Sequence, residues 1–171
     1  AKPPLHVTPA THDRATAADW FTRFEGAGLD GVMAKQLSGL YEPNKRVMLK
    51  VKHERECDCV VAGFRWHKDA KGTAVGSLLL GLYNARGELD HVGFCSGLTA
   101  SVREGLLQRL ERLAGPPGFT GRKPGGPSRW TGARNAEWFP VKPRLVVEVS
   151  YDHVTGDRFR HGTRFLRWRP D

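Results

Sequence analysis

The sequence predicts a mainly β protein with some helix. It reads as a small closed barrel of five strands with one inserted helix, preceded by a shorter α/β segment. Three observations lead there. From residue 56 onward, strand-length apolar or alternating segments recur with turn residues between them. One helical pattern interrupts them after the third. Ahead of them, the first 55 residues hold one amphipathic helix and two short strand candidates. The 171 residues suit one domain, or one domain plus a piece of another, at ~100–200 residues each.

Residues 1–14 carry prolines and no period and read as an extended entry. Thr16 to Glu25 forms a helix. Ala17, Trp20, Phe21 and Phe24 recur on one face, Asp13 or Thr16 can cap it, and Gly26-Ala27-Gly28 stops it. LDGVMAK (29–35) is a short strand. A loop with Gly39, Pro43 and Asn44 follows, and then Arg46–Lys52 alternates as a second strand. Cys57–Trp66, Ala74–Tyr83 and Leu89–Ser96 form a three-strand meander, with a turn at Asn84–Gly87. Thr99 caps a helix with Val102, Leu106, Leu110 and Leu113 on one face. Residues 115–143 hold six prolines and six glycines, which predicts a loop. Leu145–Tyr151 is a strand, and one or two more lie within 158–168. Five strands with a helix after the third suit an OB-type barrel; another small β-barrel is the alternative.

The formal charge is +9, and its placement matters more than its total. Residues 1–53 hold eight basic and five acidic residues, 54–115 eight and eight, and 116–171 eleven and five. The last third also carries Trp130, Trp138, Phe139 and Trp168, so it reads as a shaped basic surface for a polyanion rather than a charged tail. The longest uncharged apolar run, Val75–Tyr83, is far short of the ~18–20 residues of a membrane span. No secretory pattern opens the chain. Three cysteines make no disulfide framework and point to a reducing, cytoplasmic compartment.

Lys50 and Lys52 lie on one side of one strand, about 6.5–7 Å apart. Lys35 closes the preceding strand and Asp30 opens it. A carboxylate for a divalent metal and lysines for phosphate oxygens is an arrangement that phosphoryl or nucleotidyl transfer uses. The alternative is a solvated strand face. Cys57 and Cys59 share a strand face with no further pair at zinc spacing, which predicts packing. His53 and His161 read as surface histidines. Gly121–Gly126 lacks the P-loop pattern.

LDGVMAK, then VMLKVK, then a strand opening Cys57-Asp58-Cys59-Val60-Val61, together resemble motifs IV and V of ATP-dependent DNA ligases. The likeness is greatest to short bacterial ligases related to end-joining enzymes. FLRWRPD (165–171) is similar to motif VI, one residue short of its usual lysine. The resemblance implies an OB domain of the DNA ligase/mRNA capping superfamily, preceded by part of a nucleotidyltransferase domain. It implies Asp30 as the metal-binding acid, where Glu is commoner. Lys50 and Lys52 are implied as the catalytic lysines that hold the AMP phosphate, Lys35 and Arg46 as further ATP/AMP-binding residues, and Arg169 and Asp171 as residues acting on the pyrophosphate. ATP and Mg²⁺ or Mn²⁺ are the implied cofactors. The family's nucleophile is the Lys of K-x-D-G; here the only x-D-G is Leu29-Asp30-Gly31, with Gly28 where Lys would stand. The chain is therefore expected to resemble the C-terminal half of a ligase and to be inactive in self-adenylation.

The domain expectation is 1–55 for the nucleotidyltransferase piece and 56–171 for an OB domain gripping nicked duplex DNA. Arg122, Lys123, Arg129, Arg134, Lys142 and Arg144 are the expected phosphate contacts. Expected partners are DNA with nicks or ends, an N-terminal ligase half carrying the lysine, and end-joining repair proteins in a bacterial nucleoid, with no membrane. Rival readings are a non-catalytic OB module for single strands, or an RNA ligase or capping enzyme of the same superfamily.

Overall fold

The computed structural model describes residues 4–25, 27, 29–125 and 137–170. The chain divides into two compact units, Ala1–His53 and Glu54–Asp171.

The first unit holds helix α1 (Arg14–Arg23) and an antiparallel pair, β1 (Gly31–Lys35) and β2 (Met48–Lys52). Asp13 caps α1 by accepting from the Thr16 N–H at 2.8 Å. Gly31 opens β1 with φ +146°, and a Cβ there would lie 1.9 Å from the Val51 carbonyl oxygen. Only glycine allows that approach. Strand β2 begins at Met48, two residues later than its alternation suggests, so Arg46 lies ahead of it. His53 is no surface residue. Its ring stacks on Phe21 at 3.7 Å, with Nε2 2.7 Å from the Phe21 carbonyl oxygen. No described residue of this unit is fully buried.

The second unit is a five-stranded sheet in the order β5-β4-β3-β6-β7. Its strands are β3 (Arg55–His67), β4 (Ala70–Tyr83), β5 (Leu89–Cys95), β6 (Phe139–Tyr151) and β7 (Arg164–Arg169). A parallel bridge, Cys95 to Thr163, brings β5 against the start of β7. Thr163 N–H donates to the Phe94 carbonyl at 2.9 Å, and Phe159 N–H to the Val92 carbonyl at 2.8 Å. The barrel closes through these bonds, which is the OB arrangement. Its interior is filled by Val61, Leu78, Leu80, Leu110, Val147 and Val149, all fully buried.

The three consecutive leucines of β4 follow from burial on both faces of the wall. Leu78 and Leu80 enter the interior, while Leu79 joins Ala62, Leu89 and Phe119 in a second cluster. Two elements differ from the sequence reading. The inserted helix is broken into α2 (Ala100–Arg103) and α3 (Leu106–Glu111), because Gly105 adopts a left-handed conformation, φ +67°. Strand β6 starts at Phe139, inside the expected loop. Its register with β3 jumps from Gly63–Pro140 to Val61–Leu145. That irregularity accommodates Pro140 and Pro143, which cannot donate to a regular ladder.

Candidate phosphate and nucleic-acid site

The β1–β2 register places Gly31 opposite Lys52, Met33 opposite Lys50 and Lys35 opposite Met48. Directly opposed residues share a face, so Lys35, Lys50 and Lys52 lie on one side of the pair. The turn into β1 puts Asp30 at the same end. Lys50 Nζ donates to Asp30 Oδ2 at 2.7 Å, and Lys52 Nζ lies 4.0 Å from the same oxygen. The Lys50 ammonium, by its hydrogen bond and then its charge, holds the Asp30 carboxyl below the usual carboxylate range. All three side chains keep about two fifths to half of their surface in solvent. Lys35 stands at the far end of the pair, and Arg46 is exposed. The result is an open, cationic strand face with one carboxylate.

Arg169, near the end of β7, belongs to the second unit. It lies 3.5 Å from Asp58 and 3.8 Å from Glu148, residues directly opposed across β3 and β6. Glu148 also accepts from Arg167, which is the main reason its carboxyl stays below the ordinary range. Sequence reasoning missed Asp58 and Glu148 as partners of the arginines. Their alternation marks both as leaving the apolar face, but only the register brings them together.

Among the expected DNA contacts, Lys123, Lys142 and Arg144 are exposed. Arg122 is half-buried, its Nε donating to the His91 carbonyl at 3.3 Å and its Nη2 to the Asp157 carbonyl at 3.0 Å. Arg129, Arg134 and Asp171 lie outside the described residues, as does Trp130. Cys57 and Cys59 place their sulfurs 3.9 Å apart. Among the described residues no group of three or more His, Cys, Asp or Glu is arranged for a metal ion. No helix among them is long and apolar enough to cross a membrane.

The model for the ATP dependent DNA ligase domain matches residues 1–52, and that for the ATP dependent DNA ligase C terminal region matches residues 71–171. The chain belongs to the ATP-dependent DNA ligase family. It is similar to DNA ligase C2 of Mycolicibacterium smegmatis, 48% identical over 100% of this chain and 52% of the relative. It is also similar to DNA ligase C of Mycobacterium tuberculosis, 47% identical over 98% of this chain and 50% of the relative. The chain thus spans about half the length of the curated relatives it matches. The ligase domain of M. tuberculosis LigD superposes with a TM-score of 0.58 at 30% identity, over 90% of this chain and 48% of that one. A mycobacterial DNA ligase D complexed with ATP gives 0.51 at 32% identity, with the same coverage. The family's two matches fall on the hairpin unit and on most of the barrel.

Proposed function

We propose that the chain serves ATP-dependent sealing of nicks in DNA, with the β1–β2 face holding the adenylate phosphate and the barrel holding the duplex. The observation that carries the reading is the convergence of Lys50, Lys52 and Asp30 on that face, in a chain whose relatives are named DNA ligases. In such a reaction a lysine takes AMP from ATP. The AMP passes to a 5′-phosphate, and the 3′-hydroxyl then displaces it. Negative charge gathers on phosphate oxygens at each step, and preorganised cations offset it. Lys50 and Lys52 can donate to those oxygens once Lys50 leaves Asp30. Lys35 and Arg46 extend the same cationic face toward the nucleotide.

A lone, half-exposed carboxylate suits Mg²⁺ or Mn²⁺, which keeps waters and takes its remaining ligands from substrate phosphates. Asp30 is the residue that would hold it, and the ion supplies polarisation of the phosphoryl group. Arg169 and Asp171 are the residues assigned to the pyrophosphate. The domain division implied is a nucleotidyltransferase piece at 1–55 and a DNA-gripping barrel at 56–171. Repair partners and a nucleoid setting belong to the same reading.

The test joins the K-x-D-G-bearing half of a ligase C relative ahead of residue 1 and assays nick sealing. The joined protein should seal nicks. Lys50→Ala and Lys52→Ala should each lose one charge-assisted contact, about 1.5–3 kcal/mol, or at least about tenfold in rate. Near-wild-type sealing by both variants would return these lysines to a solvated strand face. The chain alone, given ATP and Mg²⁺, should show no AMP adduct by mass.

A further inference from the structure

The cysteines take no part in the sites described above, yet two of them stand together. Cys57 and Cys59 share one face of β3, opposite Val149 and Val147 of β6. That face turns inward. Cys59 is fully buried in the barrel interior, and Cys57, half-buried, packs against the same cluster nearer the start of the strand. Strand β3 begins at Arg55, just ahead of Cys57. One thiol is therefore within reach of solvent, and its neighbour is not.

The two sulfurs lie 3.9 Å apart, with the Cys59 S–H donating to Cys57 Sγ. Residues two apart on a strand are about 6.5–7 Å apart at the backbone, so the two side chains are turned toward each other. A donor aimed at a sulfur favours the thiolate there. That hydrogen bond holds the Cys57 thiol below the ordinary thiol range, against burial and the Asp58 charge. Cys59 moves the opposite way, through the same bond and then through burial. When Cys57 is protonated, its own S–H has the Asp58 carbonyl oxygen at 3.5 Å as acceptor. The pair thus keeps its last proton on the inner sulfur and presents a thiolate at the outer one. Cys95, fully buried, is pushed up by burial and is the inert thiol of the same molecule.

A reachable thiolate beside a sheltered thiol is the arrangement a reversible oxidation uses. The Cys57 sulfur attacks the terminal oxygen of a hydroperoxide, ROOH. An S–O bond forms, the O–O bond breaks, and the alkoxide leaves and takes a proton from water. Cys57 is now a sulfenic acid. The Cys59 sulfur then attacks the Cys57 sulfur. An S–S bond forms, the S–O bond breaks, and hydroxide leaves with the Cys59 proton as water. Two thiols have given two electrons to one peroxide, which becomes an alcohol and water.

We propose that Cys57 and Cys59 are a peroxide-responsive dithiol, in which Cys57 is oxidised first and Cys59 closes a disulfide onto it. The sulfurs already face each other, and the nearby strand end can yield as they close. Their backbone spacing lies at the upper limit of the ~6.8 Å a disulfide spans. A bridge at that limit is strained and readily reduced by small thiols, which suits a reversible site rather than a structural one.

The whole chain, fully reduced, would be treated with hydrogen peroxide at neutral pH and followed by intact mass and peptide mapping. The chain should lose the mass of two hydrogens. The loss should map to the peptide holding Cys57 and Cys59, and excess dithiothreitol should restore it. Cys57→Ser should abolish the loss. In Cys59→Ser the oxidation should stop at a Cys57 sulfenic acid, trapped as its dimedone adduct. Before any peroxide is added, iodoacetamide should label Cys57 at least about tenfold faster than the sheltered Cys95. Absence of the bridge in wild type overturns the proposal, as does an equal mass loss in Cys57→Ser. A disulfide between two chains, or a sulfinic or sulfonic acid at Cys57 in place of the bridge, overturns it too, because Cys59 has then not closed the reaction. Should Cys59→Ser not fold, wild type and Cys57→Ser, changed at the half-exposed position, decide the matter.

Discussion

His91 links one residue to the stability of the whole barrel. Its ordinary value is near 6.5, and burial holds it near 4 in the fold. Between those values the unfolded chain binds a proton that the folded chain refuses. Stability is therefore full above about pH 6.5 and is lost as pH falls toward 4. The loss amounts to up to about 3 kcal/mol. Urea midpoints across that window should fall in wild type, while His91→Gln should flatten the slope. An equal slope in both would place the proton uptake elsewhere. Asp30 differs in kind. It is mostly solvated, and its pair with Lys50 is a geometric arrangement rather than a source of stability.

At the scale of elements, the β1–β2 pair depends on one glycine. Gly31→Ala would drive a Cβ into the Val51 carbonyl and should part the strand ends. Asp30 would then separate from Lys50. The expected readout is loss of the Gly31–Lys52 cross-strand contact by NMR, with sealing in the joined protein reduced alongside it. An intact contact would show that the backbone can yield there. In the barrel, Val147 is fully buried between β3 and β7. Val147→Ala should cost about 1–3 kcal/mol, at the lower end of large-to-small core changes, read as a shift in urea midpoint at unchanged slope. Gly105 breaks the inserted helix by its left-handed conformation. Open space surrounds its Cβ position, so Gly105→Asn should be tolerated better than Gly105→Val.

Across the whole molecule, the two units differ in how much they bury. The barrel has a continuous buried interior, and the first unit has no fully buried described residue. Native-state hydrogen exchange should reflect this. Amides of β3, β4 and β6 should open only with global unfolding, and those of β1 and β2 at much lower free energy. Equal protection in both units would contradict it. The charge distribution makes a separate prediction. Each phosphate neutralised contributes about −0.9 to the slope of log K against log[salt]. With about four contacts, duplex affinity should fall with a slope near about −3.6 and show little sequence preference. Replacing Arg103, Arg109 and Arg112 together should change it little, because that stretch of chain carries no net charge.

Periodicity and turn residues were enough to locate six strands, to expect one or two more within 158–168 and to place the helical insertion, because alternation and glycine punctuation are local properties of the chain. The same holds for Lys50 and Lys52 on one strand face, and for the motif residues that mark the ligase family. Tertiary structure decided the rest. Asp30 meets Lys50 only through a cross-strand register and a glycine that tolerates contact with Val51. Arg169 finds Asp58 and Glu148 only because β3, β6 and β7 are neighbours although far apart in sequence. Phe139 to Arg144 joined a strand despite two prolines, since an irregular register removes the need for their missing N–H groups. Arg122 and Arg158 converge on His91 through loops that no periodic signal describes. Local physics sets what each segment is, whereas pairing between distant segments sets which charges come to face one another.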